Sequence, residues 1–295
     1  MPVLDVARLR AYQVPVTRDR YDSRDAILYA LGTGAGLSDE VDEIAFVFER
    51  RLKVLPTMAL VLGTPGFWLM DPRAGLDWPM ILHGEQSLRL YRPLDQQDEL
   101  IGKTRIGEIA DKGEGKPALF RAYRTLSDPS GAVVADMSEL WVLRGAGGFG
   151  GERDLPGHAA IAMPARAADA SLSLPTGRNQ AMVYRLSGDR NPLHVEPEIA
   201  ARGGFDRPIL HGLSTMGLAA RALIHLCCCG DAARLSSISA RFTAPVYPGD
   251  TIRTELWQDG NDLFFRASVP ERGLVVIDGG QATIDAFART QGSTS

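Results

Sequence analysis

The polar and apolar positions alternate most clearly in the last third of the chain. Ile238, Ala240, Phe242 and Ala244 are separated by Ser239, Arg241 and Thr243, and Ile252, Thr254 and Leu256 by Arg253 and Glu255. A period of two predicts half-buried strands there, with further strands over Leu263–Val269 and Leu274–Asp285 between turn residues such as Pro248-Gly249, Asp259-Gly260 and Arg272-Gly273. Just upstream the period changes. Leu213, Met216, Ala220, Leu223 and Cys227 recur at helical spacing, and the opposite side holds Leu218 among Ser214, Arg221 and His225. A helix apolar nearly all round is a buried one. A shorter helix is predicted over Arg178–Leu186. The same grammar marks the first half, with a helix over Asp22–Leu31 and strands over Leu100–Ile109, Pro117–Ser127 and Ala132–Leu143.

The two halves also share letters. Ala26-Ile-Leu-Tyr29-Ala-Leu31 matches Ala181-Met-Val-Tyr184-Arg-Leu186, and Ile81-Leu-His-Gly84 recurs unchanged as Ile209-Leu-His-Gly212. Pro93-Leu-Asp95 echoes Pro248-Gly-Asp250, and Phe120-Arg-Ala122 echoes Phe265-Arg-Ala267. Matches kept in order imply a duplicated unit. Residues 144–177 carry Gly145, Gly147, Gly148, Gly150, Gly151 and Gly157 followed by an Ala/Pro-rich segment, which is linker composition. We therefore divide the chain into a first unit over 1–143, a linker over 144–177 and a second unit over 178–295. In each unit an antiparallel sheet should wrap a central helix, giving an α+β fold. The two sheets should join edge to edge, removing exposed edges.

Composition narrows the class. With 45% hydrophobic and 23% charged residues the chain reads as globular, and a net charge of −4 offers no basic footprint for nucleic acid. The longest apolar run, Ile209–Cys229, is interrupted by His211, Arg221 and His225, so it predicts a core helix and no membrane span. The three cysteines are consecutive, Cys227 to Cys229, which suits reduced thiols rather than a disulfide framework or a zinc site. An interrupted N-terminus and the ending Gln-Gly-Ser-Thr-Ser295 carry no targeting signal, and a cytoplasmic setting is expected.

The chemistry concentrates in Tyr184-Arg-Leu-Ser-Gly-Asp-Arg-Asn-Pro-Leu-His194. Pro192 disfavours a helix through this stretch, so it should form a tight loop in which Asp189 and His194 converge as a general acid/base pair. Asn191 is placed to orient either group or a water. Gly212 stands where the long helix begins, and its N–H, unpaired within the helix and aided by the helix dipole, is a candidate donor to a carbonyl oxygen. Other motifs carry less. Gly32-Thr-Gly-Ala-Gly36 does not complete a dinucleotide fingerprint, Met216 breaks any nucleophile elbow around Ser214, and His83, His158, His211 and His225 lack metal-ligand spacing. Because His83 and His211 sit at matching places in the repeat, both are assigned a structural role at a helix start.

These residues carry a resemblance. Tyr184-x-Leu-Ser-Gly-Asp-x-Asn-Pro-Leu-His194 followed by Pro208-Ile-Leu-His-Gly-Leu213 resembles the signature of the MaoC-like, or type 2, enoyl-CoA hydratases, which are hot-dog-fold proteins. Tyr29-Ala-Leu-Gly-Thr-Gly-Ala, Leu55-Pro-Thr57 and Leu82-His-Gly-Glu-Gln86 extend it to the tandem, double hot-dog members. The resemblance implies reversible hydration of a trans-2-enoyl-CoA to the (3R)-3-hydroxyacyl-CoA. It places Asp189 and His194 as the catalytic pair, Asn191 as their support, Gly212 as the thioester donor and Glu85 as a substrate-side residue. No metal and no cofactor is needed, coenzyme A being part of the substrate, and a homodimer is expected. Gly34 aligns with Asp189 and no Asn-Pro-Leu-His follows it, so the first unit lacks the acid/base loop; by analogy it leaves room for long or bulky acyl chains. A hot-dog thioesterase, a dehydratase acting on acyl carrier protein thioesters and a non-catalytic acyl-CoA binder stand as alternatives.

Overall fold

The computed structural model describes residues 3–156 and 161–285; His158, Gly157 and the C-terminal tail lie outside them. The helices, in chain order, are α1 (Val6–Ala11), α2 (Ser23–Gly32), α3 (Ile44–Val47), α4 (Gln180–Tyr184), α5 (Pro197–Arg202) and α6 (Gly212–Cys227). The strands are β1 (Thr17–Tyr21), β2 (Ile81–Leu90), β3 (Asp98–Asp111), β4 (Ala118–Ser127), β5 (Val133–Leu143), β6 (Ala170–Pro175), β7 (Leu235–Phe242), β8 (Thr251–Asp259), β9 (Asp262–Val269) and β10 (Leu274–Ile284).

All ten strands form one sheet in the order β1-β3-β4-β5-β2-β7-β10-β9-β8-β6. Each half of that order repeats the other in mirror sequence, so the duplication read from the letters is present in space. The halves meet where β2 pairs antiparallel with β7, Ser87 opposite Ser239 and Glu85 opposite Arg241. Joining the units in this way closes two edges, while β1 and β6 still end the sheet.

Capping explains where the helices start and stop. At α2, the Asp22 side chain accepts from the Arg24 and Asp25 amides and Asp25 returns a bond to the Asp22 amide, a reciprocal capping box. At the far end of α6, Cys229 takes a left-handed conformation (φ 52°) and the Gly230 amide reaches back to the Ile224 carbonyl. Between those ends α6 is buried on every side from Ser214 to Ile224.

Three expectations are corrected here. First, only the second unit has a long central helix. Among the described residues between 33 and 80, the first unit has the four-residue α3 and short 3₁₀ turns, chief among them Pro56–Val61, which is wholly buried. Second, Ile81–Gly84 begins strand β2, whereas Ile209–Gly212 leads into a helix, so the longest letter-for-letter match is a coincidence. The other three matches are structural equivalents: α2 with α4, β4 with β9, and the turn after β2 with the turn after β7. Third, the stretch assigned to the linker is partly folded. Strand β6 lies within it and pairs with β8 from Ala170 to Pro175. Its glycines also wrap a carboxylate: Asp111 accepts from the amides of Gly113, Gly148 and Gly150 at 2.6–2.8 Å. A Cβ on Gly147 would lie 2.4 Å from the Gly113 carbonyl oxygen, so this nest tolerates no side chain there.

The first unit grips α6. Ser214 Oγ donates to the Gly32 carbonyl at 2.8 Å, and the buried Arg221 donates to the Thr33 carbonyl. Arg221 also meets the Glu43 carboxylate through two bonds of 2.6–2.7 Å, and Glu43 in turn accepts from the Gly36 amide at 2.8 Å. The helix comes close enough that a Cβ on Gly217 would stand 2.5 Å from Thr33 Cγ2. The Gly32–Gly36 string is therefore the turn that ends α2 and docks the helix of the other unit.

Candidate active site

The Ser187–His194 loop crosses the start of α6. Gly188 turns the chain with φ 124°, and the Asp189 carboxylate caps the next bend by accepting from the Asn191 amide at 3.2 Å. Asn191 meets both neighbours through its backbone, its carbonyl also accepting from the His194 amide at 3.3 Å, and among the described residues its side chain bonds neither. Its Oδ1 accepts from the Leu193 amide at 3.0 Å and so starts the 3₁₀ turn Pro192–His194, which fixes His194 through the backbone.

His194 is buried, and its Nδ1 lies 2.9 Å from the Ile209 carbonyl. A carbonyl only accepts, so Nδ1 carries the proton and Nε2 presents a lone pair. Burial pushes the His194 imidazole below its ordinary pKa, partly opposed by the Asp189 charge and the Ile209 bond, which favours the neutral ring. His211 stacks on His194 with ring centroids 3.6 Å apart and gives its Nε2 to the Asp189 carbonyl at 3.2 Å. It is held still further toward the neutral form, by burial and then by the neighbouring His194. A carboxylate oxygen of Asp189 and one ring nitrogen each of His194 and His211 lie within 4.8 Å of one another.

A cavity of about 250 Å³ collects Asp189, Asn191, His194 and Gly212 on one wall. Phe67, Trp141 and Phe242 face them, together with His83. His83 stacks on Trp141 at 4.4 Å and meets Phe242 edge-on at 5.2 Å, and burial lowers its pKa. Gly212 is the first residue of α6, following His211 in extended backbone (φ −59°, ψ 135°), so its amide is among those left without an intrahelical acceptor.

The sequence thus brought Asp189, Asn191, His194 and Gly212 to one place. It did not bring Glu85, whose carboxylate is held by Arg241 at 2.8 Å across the junction of the units and by Arg121 of its own unit at 3.5 Å. Glu85 is absent from the described lining of the cavity, and ion pairing between β2 and β7 accounts for it. His83 and His211 were missed. Treating Ile-Leu-His-Gly as a repeat assigned both to structural roles, yet each faces the cavity or its loop; the aromatic-rich approach to His83 (Phe67, Trp68, Trp78) was the available signal.

The fold is a double hot-dog, and its cavity is lined by Asp189, His194 and Gly212 of the second unit and by Phe67, His83 and Trp141 of the first. The chain belongs to the MaoC-like hydratase and dehydratase family. The MaoC-like domain matches residues 160–279, and the N-terminal domain of the hydratase 2 part of multifunctional enzyme type 2 matches residues 20–145. The chain is 43% identical to 3-hydroxyacyl-thioester dehydratase Y of Mycobacterium tuberculosis, covering 88% of this chain and 91% of that one. It is 38% identical to the peroxisomal enoyl-CoA hydratase 2 of Arabidopsis thaliana, over 92% and 93% of the two chains. The crystal structure of a MaoC-like dehydratase from Phytophthora capsici superposes with a TM-score of 0.82 at 36% identity, covering 98% of this chain and all of that one. Among the described residues no helix is long and apolar enough to cross a membrane.

Proposed function

We propose that the chain is a hydro-lyase that reversibly hydrates trans-2-enoyl-CoA to (3R)-3-hydroxyacyl-CoA. One observation carries the reading: Asp189, His194, whose Nδ1–H is spent on the Ile209 carbonyl, and Gly212, the first residue of α6, line the same cavity. The Gly212 N–H donates to the thioester oxygen and favours negative charge there. Asp189 and His194 Nε2 accept the two hydrogens of one water. The water oxygen adds to C3 as one of its protons passes to the acid/base pair and is returned to C2. One O–H bond and the C2=C3 π bond break; C3–O and C2–H bonds form, and no electrons leave the substrate. The chemistry calls for no cofactor.

Mixing with crotonyl-CoA should lower the enoyl absorbance to an equilibrium level, with chiral analysis giving the (3R) alcohol. Asp189→Asn and His194→Gln should each lower kcat by roughly 10²–10⁴-fold with the circular dichroism unchanged. Full activity in either variant, or release of free thiol instead of loss of enoyl absorbance, would remove the assignment. We further propose that two chains pair, as the resemblance implies, and that the protein works in the cytoplasm, which its three free cysteines suit; light scattering giving the mass of a single chain would refute the pairing.

A further inference from the structure

His211 touches each part of the machinery and has no task in the chemistry so far. It is 1% exposed and absent from the described lining of the cavity, so it acts on the site from behind. As the N-cap of α6 it precedes Gly212, and its carbonyl accepts from the Thr215 amide at 3.1 Å and from Thr215 Oγ1 at 3.3 Å, which fixes its backbone. Its ring lies on that of His194, the planes 26° from parallel, and Tyr184 tilts against it at 4.9 Å. The Asp189 carbonyl that meets Nε2 can only accept, so the proton of His211 sits on Nε2, and Nδ1 is a bare, buried lone pair without a partner among the described residues. Two imidazoles stacked this closely in a buried place cannot both be charged, so the pair carries one proton at most. The Asp189 charge favours that proton on His194, and Arg185 disfavours it on His211.

Turnover puts a proton there. As the water adds to C3, one of its O–H bonds breaks and an N–H bond forms at His194 Nε2; the proton then returns to C2. In between, His194 is an imidazolium, only 8% exposed and so poorly solvated. A cation held against a neutral aromatic face is stabilised, most of all where water is excluded. Building on the hydratase reading, we infer that His211 is a positioning residue: its ring face steadies the imidazolium that His194 becomes, and its Nε2–H pins the backbone of Asp189. The other charged and titratable groups near the pair are Asp189, Arg185 and Tyr184, with Arg178, Arg207 and Asp250 lining a second pocket beside His194. A substitution at residue 211 leaves all of them in the chain.

Two substitutions divide the two tasks. His211→Gln keeps an amide N–H for the Asp189 carbonyl and removes the ring; His211→Phe keeps a ring and removes the N–H. The His194 titration midpoint is read from the side-chain nitrogen shifts of labelled histidine, assigned with His194→Gln. In His211→Gln it should fall by about one unit, and kcat for crotonyl-CoA should fall about tenfold with KM within about twofold, the scale of a desolvated cation losing an aromatic face. In His211→Phe the midpoint should hold while kcat falls as Asp189 loosens. A merely structural role would lower kcat in both variants and leave the midpoint where it was. An unchanged or raised midpoint in His211→Gln, or an equal fall in His211→Phe, overturns the proposal; wild-type kcat in His211→Phe overturns the pin. If His211→Gln does not fold, the wild type decides. On acidification the first proton taken by the pair should appear on His194, with His211 still protonated at Nε2 alone, and a first proton on His211 overturns the proposal. If crotonyl-CoA is not hydrated the hydratase reading fails instead, and the titration still decides the stack by itself.

Discussion

Substituting proline for Gly212 would isolate the proposed oxyanion donor. Gly212 is the first helical residue of α6, a position where proline is tolerated because its missing N–H would have had no intrahelical acceptor. The preceding residue, His211, already has the extended backbone that a following proline demands, with ψ 135°. A Cβ at this position would touch three Phe242 ring atoms at 3.4 Å, which is ordinary contact. Gly212→Pro should therefore keep the helix and delete a single donor. Losing one preorganised donor to a developing oxyanion costs about 2.7–4 kcal/mol of transition-state stabilisation, or ~10²–10³-fold in kcat. The assay is loss of enoyl absorbance at saturating crotonyl-CoA, with far-ultraviolet circular dichroism and the melting temperature as controls. Gly212→Ala retains the N–H while adding the same Cβ, so it separates steric effects from loss of the donor. A folded Gly212→Pro with wild-type kcat, or with a loss no larger than that of Gly212→Ala, would refute the reasoning.

Acid should affect both rate and stability in a definite direction. His194 works as the neutral base and burial lowers its pKa from the ordinary 6.5, so kcat/KM should fall only as pH drops through a midpoint below 6.5. His83 and His211 are lowered too, so below 6.5 the unfolded chain binds more protons than the folded one; stability to urea should decline on acidification until the folded histidines charge. Glu43→Leu would strand the Arg221 charge in the core and should cost about 3–5 kcal/mol in urea denaturation, whereas Glu43→Leu with Arg221→Met should recover most of it; a double variant as unstable as the sum of the singles would contradict the pairing. Dialysis against a chelator should leave the hydration rate unchanged, while added zinc should inhibit by taking the lone pairs of Asp189, His194 and His211; a rate lost to chelation and restored by metal would refute the acid/base reading.

What could be read from the letters followed physical period. Strands β8 and β9 have one buried face and show it as alternation, and α6 showed its helical spacing although no face of it is polar. Strand β2 was invisible because a bulge at Gly84 breaks the alternation between His83 and Glu85. Strand β6 was overlooked because Ser171-Leu-Ser-Leu174 alternates over only four residues between Ala/Pro-rich sequence and Pro175, and its partner β8 lies about 80 residues on. The loss of the first unit's helix could not be read at all, since Pro56–Val61 is buried yet too short to display a period. The acid/base loop was legible because proline and Asn191 dictate its turn locally. Glu85 was misplaced because its ion-pair partners Arg121 and Arg241 lie 36 and 156 residues away along the chain.

The grip of the Gly32–Gly36 turn on α6 bears on ancestry. After a duplication, the copy that loses its chemistry is ordinarily released to drift. Here the silent copy still supplies the carbonyls that Ser214 and Arg221 hold, the carboxylate that neutralises Arg221, and the surface against which Gly217 lies flush. The gene cannot be trimmed to its catalytic half without uncovering a buried charge on the helix that presents Gly212. The first unit has a fixed duty to its neighbour, and the two halves are bound to be inherited as one.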